Sequence, residues 1–182
     1  MTATRDLLED GGGSAVRMSD IAKRAGVSRQ ALYLHFPNRA DLLTAVARHV
    51  DEIAGIDARL AESRTAKTGR ARLKAFVRAW GDYIPVIFGM AKAFWAMMDK
   101  DQEARAAWDD RMRAMREGCA AAVLALHRDG ELSDALSVEE ATDLLWTLLS
   151  ARNWEHLRFD CGWSQEAYLR HMERSVERIL LA

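Results

Sequence analysis

Residues 19–38 read SDIAKRAGVSRQALYLHFPN, and this stretch decides the fold. Ile21 and Ala25 stand four residues apart, so both are predicted to face inward on one short helix, with the small Ala22 letting a second helix approach. Gly26 falls where that helix must stop, in a left-handed position that a side chain would obstruct. Val27 is expected to fill the corner and Ser28 to cap the next helix, which then turns Leu32 and Phe36 inward. Helix, tight glycine turn, helix is the helix-turn-helix layout.

With Leu32 and Phe36 inward, the second helix presents Arg29, Gln30, Tyr33, Leu34 and His35 outward. Arginine suits guanine and glutamine suits adenine in a major groove, while tyrosine and histidine reach phosphate oxygens. From Arg17 to Arg39 there are five cations (Arg17, Lys23, Arg24, Arg29, Arg39) against Asp20 alone. A helical hairpin with a merely solvated polar face is the plainer alternative. The glycine turn and the basic window together favour a DNA reader.

The longer segment IAKRAGVSRQALYLHFPNRADLL, residues 21–43, resembles the DNA-binding head of the TetR family of transcriptional regulators, most specifically in Ala31-Leu32-Tyr33-Leu34-His35-Phe36. The resemblance implies that Arg29, Gln30, Ala31 and Leu34 meet the groove. Tyr33, His35 and Arg39 match phosphate-contacting positions, and Ser28 matches the recognition-helix cap. Ser19 joins the DNA-facing set, as does Arg17, which stands where the family often has a capping Thr or Ser; an arginine can reach phosphate but cannot cap. The family's full first helix is represented here only by Thr4 to Glu9, ahead of Gly11-Gly12-Gly13. The family also implies a divergent helical body that binds a small molecule and pairs through its last two helices.

The rest of the chain agrees with a small head on a helical body. Its 182 residues include only two prolines, are 49% hydrophobic and 29% charged, and give a formal charge of −1. Residues 1–50 hold seven Lys/Arg and five Asp/Glu, residues 51–182 nineteen and twenty-two. The expected domains are therefore a DNA-binding head, 1–50, and a ligand-binding and dimerisation body, 51–182, in an all-α protein of eight or nine helices. Asn38 and Asp41 look like a capping-box variant opening a helix after Pro37, and a hinge is expected near 62–68. A helix from Arg70 should end or kink before Pro85, with a shorter one through Met98. One helix spans 101–128. Ser137-Val138-Glu139-Glu140 caps a helix over about 138–158, and Ser164 caps the last, about 164–181.

Six tryptophans are many for this length. Trp80, Tyr83, Phe88, Phe94, Trp95, Met98, Trp146 and Trp154 are the candidates for lining an apolar effector cavity, plain core packing being the simpler role for each. Two-fold readers of DNA need two heads about one helical turn apart, so a homodimer through the last two helices is expected.

No phosphate loop, HExxH or paired metal-ligand spacing occurs, so neither catalysis nor a cofactor or metal is expected. Two cysteines make no disulfide framework, and the first residues carry no signal-like apolar run; a cytoplasmic location is expected, away from membranes. The sequence thus reads as a ligand-responsive regulator, a repressor by expectation, on a near-palindromic operator. The alternative is a helical ligand- or protein-binding module whose short first helix leaves the head unable to hold DNA.

Overall fold

The computed structural model describes residues 2–10 and 17–181; the expected glycine break at residues 11–13 lies outside them. The described residues are all-helical in design, with no strand beyond an isolated bridge between Leu132 and Leu181. No helix among them is long and apolar enough to cross a membrane. The chain forms two compact units, residues 1–54 with 87–113 and residues 55–86 with 114–182.

The first unit holds α1 (Thr2–Asp10), α2 (Met18–Ala25), α3 (Arg29–His35) and α4 (Arg39–Ile53). It also holds the later part of α6 (Gly69–Met98) and the early part of α7 (Gln102–Arg128). One apolar core runs through Leu8, Ile21, Leu42, Leu43, Val46 and Val50 and on into Met90, Phe94, Met97, Ala104 and Ala107. The helical period of α4 supplies its inner stripe at three- and four-residue steps. Leu8 is 2% exposed, so the short α1 is seated on α2 and α4 by a buried leucine. Arg111 pairs with the buried Asp51, and Arg48 with Asp110 at 3.0 Å, lacing α7 to α4.

The second unit comprises α5 (Ile56–Thr65), the early part of α6, the later part of α7, α8 (Val138–Leu148), α9 (Ala151–Glu155), a π-helical turn at His156–Asp160, and α10 (Gln165–Leu180). Its core includes Leu73, Val77, Tyr83, Ile84, Cys119, Val123, Leu126, Leu145, Leu149, Tyr168 and Val176. Ser137 and Glu140 form a complete capping box, and Ser164 accepts the Ala167 N–H at 3.0 Å. Helix α6 starts at Gly69, where a Cβ would lie 2.5 Å from the Leu126 backbone nitrogen, so only glycine permits this approach to α7.

Two expected helix boundaries differ. Pro85 does not end its helix: α6 runs unbroken to Met98. Proline removes the N–H that would bind the Gly81 carbonyl, and the Gln165 side-chain amide donates to that carbonyl at 2.9 Å instead. Conversely, the helix expected over 138–158 breaks at Ser150. There Ser150 Oγ accepts the Asn153 N–H at 3.2 Å and Asn153 donates back to the Thr147 carbonyl, so local side chains compete with the helix. The polar stretch before residue 68 also folds further than expected: α5 reaches Thr65, and the chain turns at Gly55, with φ +67°, and again over 66–68.

Candidate nucleic-acid interface

The site is built by the turn between α2 and α3. Ile21 and Ala22 are buried as expected, with Met18 one turn before Ala22 completing the inward face of α2, whereas Ala25, expected inward, is exposed. The helix stops at Gly26 (φ +67°), with Val27 N–H donating to the Ala22 carbonyl at 3.0 Å and Gly26 N–H to the Lys23 carbonyl at 3.3 Å. That is the Schellman pattern, for which glycine is the least strained residue. Val27 does not fill the corner; it is 45% exposed.

Ser28 then opens α3, its Oγ accepting the Ala31 N–H at 3.0 Å. Leu32 anchors α3 to the core at 8% exposure. Phe36 lies just past the helix end, extended and half-buried against the same core. Asn38 caps α4 by accepting the Asp41 N–H at 2.8 Å, and its amide donates to the Asp41 carboxylate at 2.9 Å. Side chain meets side chain there, where a capping box would use the backbone.

Anchored on Leu32, α3 divides its outer surface. Arg29 and Tyr33, one turn apart, line a groove of 480 Å3 together with Arg17, Ser19, Asn38 and Arg39. Gln30 and Leu34, the neighbouring pair one turn apart, stand outside that groove, with Leu34 80% exposed and Gln30 exposed. Ala31 is half-buried and His35 exposed. Arg17 occupies the N-cap position of α2 without a side-chain cap bond, as its chemistry requires. The groove therefore joins cations, hydroxyls and an amide, donors that hold a backbone phosphate, with the Glu103 carboxylate also in its lining, while a glutamine and a leucine face outward beside it.

Arg39 is placed in this groove but is also held from behind. Its guanidinium meets Asp101 at 2.7 Å and Glu103 at 3.1 Å. Burial alone would lower its pKa; the hydrogen bonds and charges of both carboxylates outweigh this and raise it. Burial likewise pushes the Asp101 carboxyl up, but Arg39 and the Ala104 N–H hold it below the ordinary range. Sequence reasoning missed this pair, because its partners lie some sixty residues away and share no local pattern.

The aromatic candidates divide between the two units. Trp80, Tyr83, Trp146 and Trp154 belong to the second, Phe88, Phe94, Trp95 and Met98 to the first. Trp80 and Trp154 are buried with their indole N–H groups bound, to the Leu149 carbonyl at 2.9 Å and to Gln165 Oε1 at 2.8 Å. Tyr83 is fully buried, and Trp146 half-buried. In the first unit Trp95 sits between Phe88 (ring centroids 6.2 Å apart) and Trp108 (5.7 Å), and Phe94 also meets Trp108 at 6.1 Å. Met98 is half-buried.

The sequence profile of the bacterial regulatory proteins of the tetR family matches residues 1–46. The chain is 41% identical over 86 residues to the transcriptional activator FasR of Mycolicibacterium smegmatis, a match covering 46% of this chain and 38% of that protein. It is 33% identical over 70 residues to the transcriptional repressor LfrR of the same organism, covering 38% of this chain and 36% of that one. The aligned stretches thus span less than two fifths of either relative. Over the whole length, the transcriptional regulator FadR from Bacillus subtilis, solved with stearoyl-CoA, superposes with a TM-score of 0.74 at 17% identity, covering 96% of this chain and 94% of that one. Residues 1–46 therefore match the amino-terminal domain of the tetR family, and the chain shares its all-helical fold with the solved transcriptional regulators it superposes on.

Proposed function

We propose that this protein is a ligand-responsive transcriptional regulator that binds a near-palindromic operator as a homodimer. The observation that carries this reading is the division of the α3 surface into a phosphate-type groove (Arg17, Ser19, Arg29, Tyr33) and an outward Gln30–Leu34 stripe. In this reading the groove fixes register on the backbone. Gln30 reads an adenine edge, Leu34 packs on a thymine methyl, and Arg29 stands at the corner between backbone and base. Ser28 holds the N-terminal N–H groups of α3 in line, and Ala31 lets the helix approach closely. His35 adds a donor at the helix end.

Pairing is assigned to α8 and α10, which pack on one another. Leu144 and Ile179, each 38% exposed, leave apolar surface on these helices for a second copy, as a four-helix seam. A small apolar or amphipathic effector is assigned to the Phe88–Trp95–Trp108 cluster. The cluster adjoins the core that the DNA-binding head shares with residues 87–107, so parting those rings repacks the support of α4. Repression by occupancy is the proposed sign: covering promoter DNA needs no further surface, whereas activation requires one. Relatives named as an activator and as a repressor both align with this chain, so the aligned residues do not carry the sign. The test is a promoter-reporter assay on DNA fragments enriched by the purified protein: expression should rise on deletion of the gene, and a fall would reverse the sign.

A further inference from the structure

Glu103 is an acidic residue in a groove otherwise furnished for phosphate. It stands in the first turn of α7, is 45% exposed, and lines the same 480 Å3 groove as Arg17, Ser19, Arg29 and Tyr33. Its carboxylate also binds Arg39 at 3.1 Å. Asp101 is differently placed. At 13% exposure it binds Arg39 and caps α7 by accepting the Ala104 N–H at 3.1 Å. Asp101 alone therefore suffices to neutralise Arg39, and Glu103 brings a second negative charge. The three side chains sum to one net negative charge at the groove, where Arg39 and Glu103 are part of the lining.

We infer that Glu103 is a built-in competitor of the DNA backbone: together with Asp101 it withholds Arg39 from phosphate and repels the strand at the groove wall, setting the affinity of the head below what its cations would give. The inference rests on the DNA-binding reading above. It recasts Arg39 from a ready phosphate ligand to one released only when its carboxylates let go. Because Glu103 opens α7 beside the α6 end, any change that draws this corner away from Arg39 strengthens DNA binding, and any change that presses it in weakens it. The device is electrostatic, so it is strongest at low ionic strength.

Wild type, Glu103→Gln and the double variant Asp101→Asn/Glu103→Gln are titrated with one fixed duplex at two salt concentrations, with Arg29→Ala as control. Asparagine caps a helix as well as aspartate does, so the double variant keeps α7 capped while removing both charges. Glu103→Gln should bind roughly three- to tenfold more tightly at low salt, the gain shrinking as salt rises. The double variant should bind more tightly still, with a salt slope steeper by about 0.9 as Arg39 joins the phosphate contacts. Unchanged or weaker binding by both variants, with wild type binding and Arg29→Ala impaired, overturns the inference and leaves DNA binding standing. No binding by wild type and variants alike overturns both.

Discussion

Gln165 donates its side-chain amide to the Gly81 carbonyl at 2.9 Å, the acceptor that Pro85 orphans one turn later in α6. The same side chain accepts the Trp154 indole N–H at 2.8 Å, so one glutamine serves groups from two other helices. Gln165→Ala removes both hydrogen bonds, at a cost of about 1–3 kcal/mol. Thermal unfolding should show a lower Tm, and Pro85→Ala in the same background should recover part of the loss by restoring the Gly81 hydrogen bond within the helix.

The cap on α3 is a smaller and separable contribution. Ser28→Ala removes the acceptor for the Ala31 N–H and should destabilise the protein by about 1 kcal/mol. Ser28→Asn should restore most of it. Denaturant titration of the three proteins checks the order wild type, Asn, Ala.

The two faces of α3 should behave differently in DNA titrations. Gln30→Ala should lose about 1–3 kcal/mol of discrimination at one base position with little change on random DNA. Tyr33→Phe and Arg17→Ala should weaken all sequences alike, and Arg17→Ala should flatten the salt slope by about 0.9. Equal losses on operator and random DNA for Gln30→Ala would remove that residue from the reading set.

The two cysteines are chemically unequal. Burial pushes the Cys119 thiol up to about 12, against a weaker opposing pull from Arg116, so at pH 8 it stays protonated and shielded. Cys161 is exposed. A disulfide reagent at pH 8 should therefore titrate one thiol in the folded protein and a second only on unfolding. Rapid reaction of both would contradict the burial of α7.

The local parts of this fold were legible in the sequence because their partners lie within four residues. The Gly26 stop, the Ser28, Asn38 and Ser164 caps and the Ser137–Glu140 box each pair with a neighbour along the chain. What escaped was set by distant groups. Pro85 passes through a helix because Gln165 comes from another element, and Arg39 meets carboxylates on α7. Ala25 has the inward spacing but sits at a helix end that turns it to solvent, a matter of where Gly26 stops the chain. The aromatic residues were visible as a group, but not their division between two units, since tryptophan spacing is the same for core and cavity.

The most direct test of a head that holds DNA by its groove and reads it by α3 is selection of genomic fragments by the purified protein, followed by titration of an enriched site at two salt concentrations. The account predicts a near-palindromic site whose half-sites lie about one helical turn apart and an affinity that falls steeply with salt, by about 0.9 log units per log unit of salt for each phosphate held. Recovery of no common sequence, with binding insensitive to salt, would contradict it.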